Sequence, residues 1–141
     1  MSTGAVTRGW IGKALPRAED ERFLKGEARY VGDLRRPGML HAAFVRSVYA
    51  HAVLQAVETE AALAATGVRA VLTADDFEGL TESFPVVAPP GAEVVAVAHP
   101  VLARGRVRYV GEPVSLVVAD TAEQAADAAE LVGLELEELP A

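Results

Sequence analysis

At 141 residues, with 51% apolar and 23% charged side chains, the chain has the composition of one globular domain, able to bury roughly two thirds of its unfolded surface. A net charge of −7 excludes a phosphate-neutralising nucleic-acid binder, and the absence of cysteine excludes disulfides, a thiolate nucleophile and an iron–sulfur cluster held by this chain. No apolar run approaches the ~20 residues of a membrane span and Met1–Trp10 lacks the apolar core of a secretory signal, so a cytoplasmic location is expected.

Residues 1–16 contain Gly and Ser, end at Pro16, and are expected to form an N-terminal arm preceding a domain over 17–141. Residues 17–38 show no sustained period, and Gly26, Gly32, Pro37 and Gly38 mark them as loop and turn. Pro37-Gly38 suits a type II turn, in which Pro presets φ and Gly supplies the positive φ. Met39 to Val48 then reads as a strand. Leu40, Ala42 and Phe44 fall on one side of it, and His41, Ala43, Val45 and Ser47 on the other. Because both sides are largely apolar, the pattern predicts an interior strand.

Tyr49-Ala-His51 turns into a second strand, Ala52 to Val57, with Val53, Gln55 and Val57 alternating. An Ala-rich helix over about residues 59–66 ends at Gly67, and Val68 to Thr73 is a compact buried strand. Asp75-Asp-Phe77 fits the opening of one helical turn. Residues 79–100 carry Pro85, Pro89, Pro90 and Pro100 and little period beyond a short edge strand at Val94 to Ala98. So long an excursion inside a small domain leans towards function.

In the last third, Arg106 to Val110 reads as a strand, Gly111-Glu-Pro113 as a bend, and Pro113 to Ala119 as a continuous β-rich run. Thr121-Ala-Glu-Gln124 is a capping box that starts a helix over Ala122 to Val132, with Ala125, Ala129 and Val132 on one face. Leu134-Glu-Leu-Glu137 closes the chain as a strand with one apolar and one acidic side. The order is therefore β-β-α-β, excursion, β-β-α-β: an α+β domain with a mixed sheet and two short helices packed on it.

No catalytic, cofactor-binding or metal site follows from these residues. His41, His51 and His99 lack the paired spacing of a zinc site; His41 reads as a hydrogen-bonded strand residue and His51 as a turn residue capping backbone groups. Glu19-Asp-Glu21 lies among arginines, which favours ion pairing over the burial that raises a carboxylate pKa for acid–base work. Asp75 and Asp76 suit a helix start. Gly4, Gly9 and Gly12 do not have dinucleotide-loop spacing, and Lys13 and Lys25 sit on no hairpin suited to a lipoate or biotin. Phe84, Val86, Val87, Val94, Val95 and Val97 make the excursion too apolar for a free loop. They either cover the domain's own core or form a surface for a partner or substrate.

Four segments resemble the N-terminal α/β-hammerhead domain of the large subunits of the xanthine dehydrogenase, aldehyde oxidase and carbon monoxide dehydrogenase family. They are Arg17-Ala-Glu-Asp-Glu-Arg-Phe-Leu-Lys-Gly26; Pro37-Gly-Met-Leu-His-Ala-Ala-Phe-Val-Arg-Ser47 with Ala50-His51-Ala52; Val107-Arg-Tyr-Val-Gly-Glu-Pro-Val114; and Asp127-Ala-Ala-Glu130 leading to Leu139-Pro140-Ala141. Two positions depart from the pattern: Val48 stands where the family usually has Pro, and Leu136 where it usually has Tyr.

The resemblance implies a complete enzyme in which a molybdopterin cofactor oxidises an aldehyde, a purine, another N-heterocycle or carbon monoxide, and 2Fe–2S clusters and FAD on partner subunits carry electrons away. It implies that this stretch is a non-catalytic module. Its expected partners are the molybdenum-binding domain of the large subunit and the iron–sulfur and FAD subunits, and its excursion over residues 81–99 is expected to form part of the substrate-channel wall. The alternative is an autonomous module that keeps the fold and binds a small ligand or another protein.

Overall fold

The computed structural model describes residues 13–81, 83–84, 89–91 and 99–140. Two compact units divide at Pro37/Gly38. In the first, the sequence pattern reads as loop, yet Asp20–Leu24 forms a short helix, α1. Its local chemistry explains the difference. Asp20 accepts a hydrogen bond from the Arg17 amide at 3.0 Å, Asp20 and Glu21 sit in the first turn where the helix dipole favours acids, and Gly26 leaves the helix at φ +70°. Five residues are too few for a helical period to show in the sequence. The Phe23 and Tyr30 rings then meet at 5.6 Å.

The second unit holds the strands β1 (His41–Arg46), β2 (Ala52–Glu58), β3 (Val68–Leu72), β4 (Arg106–Val107), β5 (Pro113–Ala119) and β6 (Gly133–Glu138). Two helices accompany them, α2 (Glu60–Leu63) and α3 (Ala122–Ala129). The α+β class and the order of elements are as the sequence implies. The mixed sheet is not: the strands form two three-stranded antiparallel sheets, β1-β5-β3 and β4-β2-β6. The separation begins at Ser47. Its hydroxyl donates to the Tyr49 carbonyl at 2.9 Å and its Oγ accepts from the Tyr49 amide at 3.1 Å. This tight side-chain turn sends β2 away from β1 instead of folding it back as a hairpin.

Both sheets keep their cores by alternation. Val45, Val71 and Val117 face α2 and α3, which supply Ala62 and Ala128, and the nearby Val132 completes the cluster. Alanines on α3 let the helix lie close to the sheet; Ala125 and Ala128 are buried. A second cluster joins Ala52, Ala103, Val107 and Val114, and Val57 and Leu134 touch both. A bulge between Leu54 and Ala56 shifts the register of β2, so Val57 points inward with Leu54 instead of outward with Gln55. Sequence alternation alone places Val57 on the wrong side.

The capping box forms as read: Thr121 Oγ1 accepts from the Gln124 amide and Gln124 Oε1 accepts from the Thr121 amide, both at 3.2 Å. Gly67 lies against this cap at φ +82°, and a Cβ there would collide with the Gln124 amide. Gly38, at φ +74°, supplies the positive φ expected of the Pro37-Gly38 turn. The strand expected over Arg106 to Val110 stops at Val107 because a buried carboxylate takes over: Glu112 accepts from the Arg108 amide, and Gly111 turns the chain at φ +87°.

β1 is an edge strand rather than an interior one. Its burial alternates, with His41, Ala43 and Val45 half-buried and Ala42, Phe44 and Arg46 exposed. The edge strand expected at Val94 to Ala98 lies outside the described residues.

Candidate functional site

The excursion is pinched at its base. Phe84 and His99 form an isolated antiparallel bridge, with the Phe84 amide donating to the His99 carbonyl at 2.9 Å. His99 thus serves through its backbone, and Phe84 is 63% exposed. Val86, Val87, Val94, Val95 and Val97 lie outside the described residues. Below the bridge, Pro100 leads into Leu102 and Ala103, both buried. The Ala103 amide donates to the Pro113 carbonyl at 2.7 Å, which anchors the returning chain on β5.

Two shallow clefts lie at this foot. One, of about 200 Å³, is lined by Phe77, Glu78, Thr81, Ser83, Leu102 and Arg104 among others. The other, of about 250 Å³, lies beside Leu54, Gln55, Thr73, Asp75 and Arg104. The Arg104 guanidinium borders both and is held by Asp75 at 2.9 Å and Glu78 at 3.0 Å. Its turn is built locally: Asp76 Oδ2 accepts from the Thr73 amide at 2.7 Å, capping a 3-10 turn over Ala74–Phe77 that presents Asp75 to Arg104. Asp75 and Asp76 therefore do begin a helical turn, and Asp75 carries a partner that the sequence does not reveal.

The electrostatics do not favour proton transfer here. The hydrogen bond from Arg104, and then its charge, hold Glu78 below the ordinary carboxylate range. Arg69 does the same for Asp120 through a two-pronged contact at 2.8 and 2.9 Å. Glu123 is lowered by its own backbone amide in the first turn of α3 and by Thr121. A general acid or base working near neutrality needs the opposite shift. The direction also fixes a pH response. A carboxyl with a depressed folded-state pKa stabilises the fold above its unfolded pKa, and the contribution is lost as pH falls through the folded value. Acid unfolding is therefore expected to deepen below about pH 4, and Arg104→Met should flatten part of that limb in urea midpoints measured against pH.

The other sequence candidates are dispersed. His51 Nδ1 lies 2.8 Å from the Pro140 carbonyl and ties the start of β2 to the chain beyond β6, while His41 is half-buried in β1. Among the described residues no group of three or more His, Cys, Asp and Glu side chains is placed to hold a metal ion, and no helix is long and apolar enough to cross a membrane. In the first unit, Glu21 pairs with Lys25 and the Asp20 carboxylate accepts from the Arg17 amide just before α1. Gly4, Gly9 and Gly12 lie outside the described residues.

Sequence reading missed Arg104 and Glu112. Glu112 is 3% exposed, accepts from the Arg108 amide and lies 3.6 Å from the Arg108 guanidinium. Its carbonyl accepts from the Ser47 amide at 2.9 Å, and the Gly111 amide returns a bond to the Ser47 carbonyl at 2.8 Å. The Arg46 guanidinium adds a 2.8 Å bond to the Gly111 carbonyl. A lone Glu between Gly and Pro is the available signal, since a charged residue in a bend next to a buried strand must find partners.

Comparison with known proteins matches residues 25–140 to the family described as aldehyde oxidase and xanthine dehydrogenase, a/b hammerhead domain. The chain is 47% identical to the nicotine 6-hydroxylase large subunit of Paenarthrobacter nicotinovorans over 95% of its own length and 16% of that protein's. It is 43% identical to the carbon monoxide dehydrogenase large chain of Hydrogenophaga pseudoflava, over 89% and 15% respectively. Among solved structures, quinoline 2-oxidoreductase from Pseudomonas putida 86 superimposes with a TM-score of 0.82 at 42% identity, covering 93% of this chain and 16% of that one. The chain thus spans about one sixth of the length of these relatives.

Proposed function

The chain belongs to the aldehyde oxidase and xanthine dehydrogenase a/b hammerhead family, and on that premise we propose that it is a non-catalytic structural and interface domain of a molybdopterin-dependent hydroxylase or dehydrogenase large subunit. The observation that carries this reading is the match of nearly the whole chain to about one sixth of proteins that are named as large subunits. In the complete enzyme the partners are the molybdenum-binding remainder of the large subunit and the subunits with iron–sulfur clusters and FAD. The substrate class is an aldehyde, a purine or another N-heterocycle, or carbon monoxide, and the location is cytoplasmic.

The residues described do not fit a molybdopterin site of their own. Among the described residues, Arg69, Arg104 and Arg108, the cations beside the clefts and bends of the second unit, are already engaged by Asp120, by Asp75 and Glu78, and by Glu112, and are not left to hold the cofactor's phosphate. No step of the chemistry is assigned to this chain. Its contribution is mechanical. The Phe84–His99 bridge, buried Leu102 and the Arg104 pairs fix the foot of the excursion, whose apolar composition suits a substrate-channel wall.

The clefts beside Arg104 favour a second reading, an autonomous binding module. Phe84→Asp separates the two when this chain replaces the matched stretch of the P. nicotinovorans large subunit. If the excursion serves the enzyme, the variant is expected to lose assembly with partner subunits or to raise the KM for substrate. A variant that assembles and turns over unchanged, while the isolated chain loses affinity for a small ligand, would favour the module.

A further inference from the structure

The most unusual surface of the molecule is the outer face of the β1-β5-β3 sheet. The register places Ala42, Val118 and Ala70 in one row across the three strands and Phe44, Leu116 and Leu72 in the next. Neighbouring positions on each strand point the other way, towards α2 and α3. All six outward residues are apolar. Ala42 and Phe44 are exposed, and Ala70, Leu72, Leu116 and Val118 are half-buried.

An antiparallel sheet covered on one face normally carries polar residues on the other. The second sheet of this chain follows that rule. Its outward rows pair Val53 with Glu137 and Ala56 with Glu135, and Gln55 donates to Glu137 at 2.9 Å. The contrast between two sheets of one chain marks the apolar face as built for cover. It also explains why β1, an edge strand, reads as interior.

The size of the face limits its occupant. Three strands about 4.8 Å apart and two outward rows about 7 Å apart present on the order of 200–300 Å². A stable complex between free molecules buries about 800 Å² on each side, so this face is too small to hold a second copy or a diffusing partner alone. A covalently tethered partner needs no such area, because the linker raises its effective concentration to about the millimolar range. The relatives carry such a partner, since the matched stretch is 16% of the 47%-identical large subunit. Arg46, with its guanidinium 5.1 Å from the centre of the Phe44 ring, borders the face at one end.

We propose, resting on the reading of the chain as part of a large subunit, that this face packs against an uncharged apolar surface of the remaining large-subunit polypeptide. The chain has no cysteine, so Ala42→Cys places a unique thiol on the face of the isolated protein, and Ala70→Cys does so on the opposite edge strand. Maleimide labelling is followed by peptide mass spectrometry in the isolated chain and in the P. nicotinovorans large subunit carrying this chain in place of its matched stretch. The denatured subunit serves as reference.

The Ala42→Cys thiol should react fast in the isolated chain and the Ala70→Cys thiol, at a half-buried position, less fast. Each should react about 100-fold more slowly in the grafted subunit, where reaction must await local opening. Equal rates in an assembled graft would overturn the docking face and leave the large-subunit reading intact. Labelling of the isolated chain that slows as its concentration rises would identify a second copy as the occupant and overturn the proposal. A graft that does not assemble would overturn the large-subunit reading and the docking face together.

Discussion

Leu102→Ala is expected to destabilise the domain by about 3 kcal/mol, read as a lower urea midpoint at unchanged slope. Leu102 is 1% exposed and is among the largest fully buried side chains. Truncating a buried Leu removes its transfer free energy and leaves a cavity that the surroundings fill only partly, which together cost about 2–5 kcal/mol. The neighbours here have little room to close in. The Ala103 amide is fixed to the Pro113 carbonyl, and Arg104 is held by two carboxylates. Leu102 also lines the cleft under the Phe84–His99 bridge, so the same change should loosen the excursion before the sheets melt. Faster hydrogen exchange of the Phe84 and Ala103 amides than of the β5 amides would show it. A loss under about 1 kcal/mol would mean that this foot is not part of the cooperative core.

Glu112→Ala is the second large effect, expected at about 2–3 kcal/mol. The carboxylate is almost wholly buried and accepts the Arg108 amide in a bend where no strand partner can replace it. Its removal leaves that amide unpaired and strips Arg108 of its nearest counter-charge. Breaking a fully buried pair costs about 3–5 kcal/mol, and the partial exposure of Arg108 places this one lower. Glu112→Gln keeps an acceptor and should lose only about 1 kcal/mol. The same urea series checks both, and equal losses would show that charge rather than amide capping is the main contribution.

Local chemistry was legible wherever a residue acts on its near neighbours. Thr121 and Gln124 declare their capping box, Pro37-Gly38 its turn, and the unbroken run from Pro113 to Ala119 a strand. The α+β class and the element order follow from such signals. What stayed hidden depends on partners distant in sequence or on register. Ser47 splits the expected mixed sheet in two through hydrogen bonds to Tyr49 that leave no periodic trace. The bulge at Gln55 moves Val57 inward, and Arg104 finds Asp75 and Glu78 across 29 and 26 residues. The helix at Asp20–Leu24 is too short to show a period. For β1 the pattern was read correctly and the burial was not, because two apolar faces indicate cover without saying that this chain provides it.

The most direct test is to measure molybdenum content and substrate turnover for the P. nicotinovorans large subunit carrying this chain in place of its matched stretch, alongside the isolated chain. A supporting scaffold that is 47% identical should give parental molybdenum stoichiometry and turnover within about 10-fold of the parent, a difference of about 1.4 kcal/mol in barrier, with no turnover by the isolated chain. Turnover by the isolated chain, or a soluble grafted subunit that takes up no molybdenum and recruits no partner subunit, would contradict a scaffold role in such an enzyme.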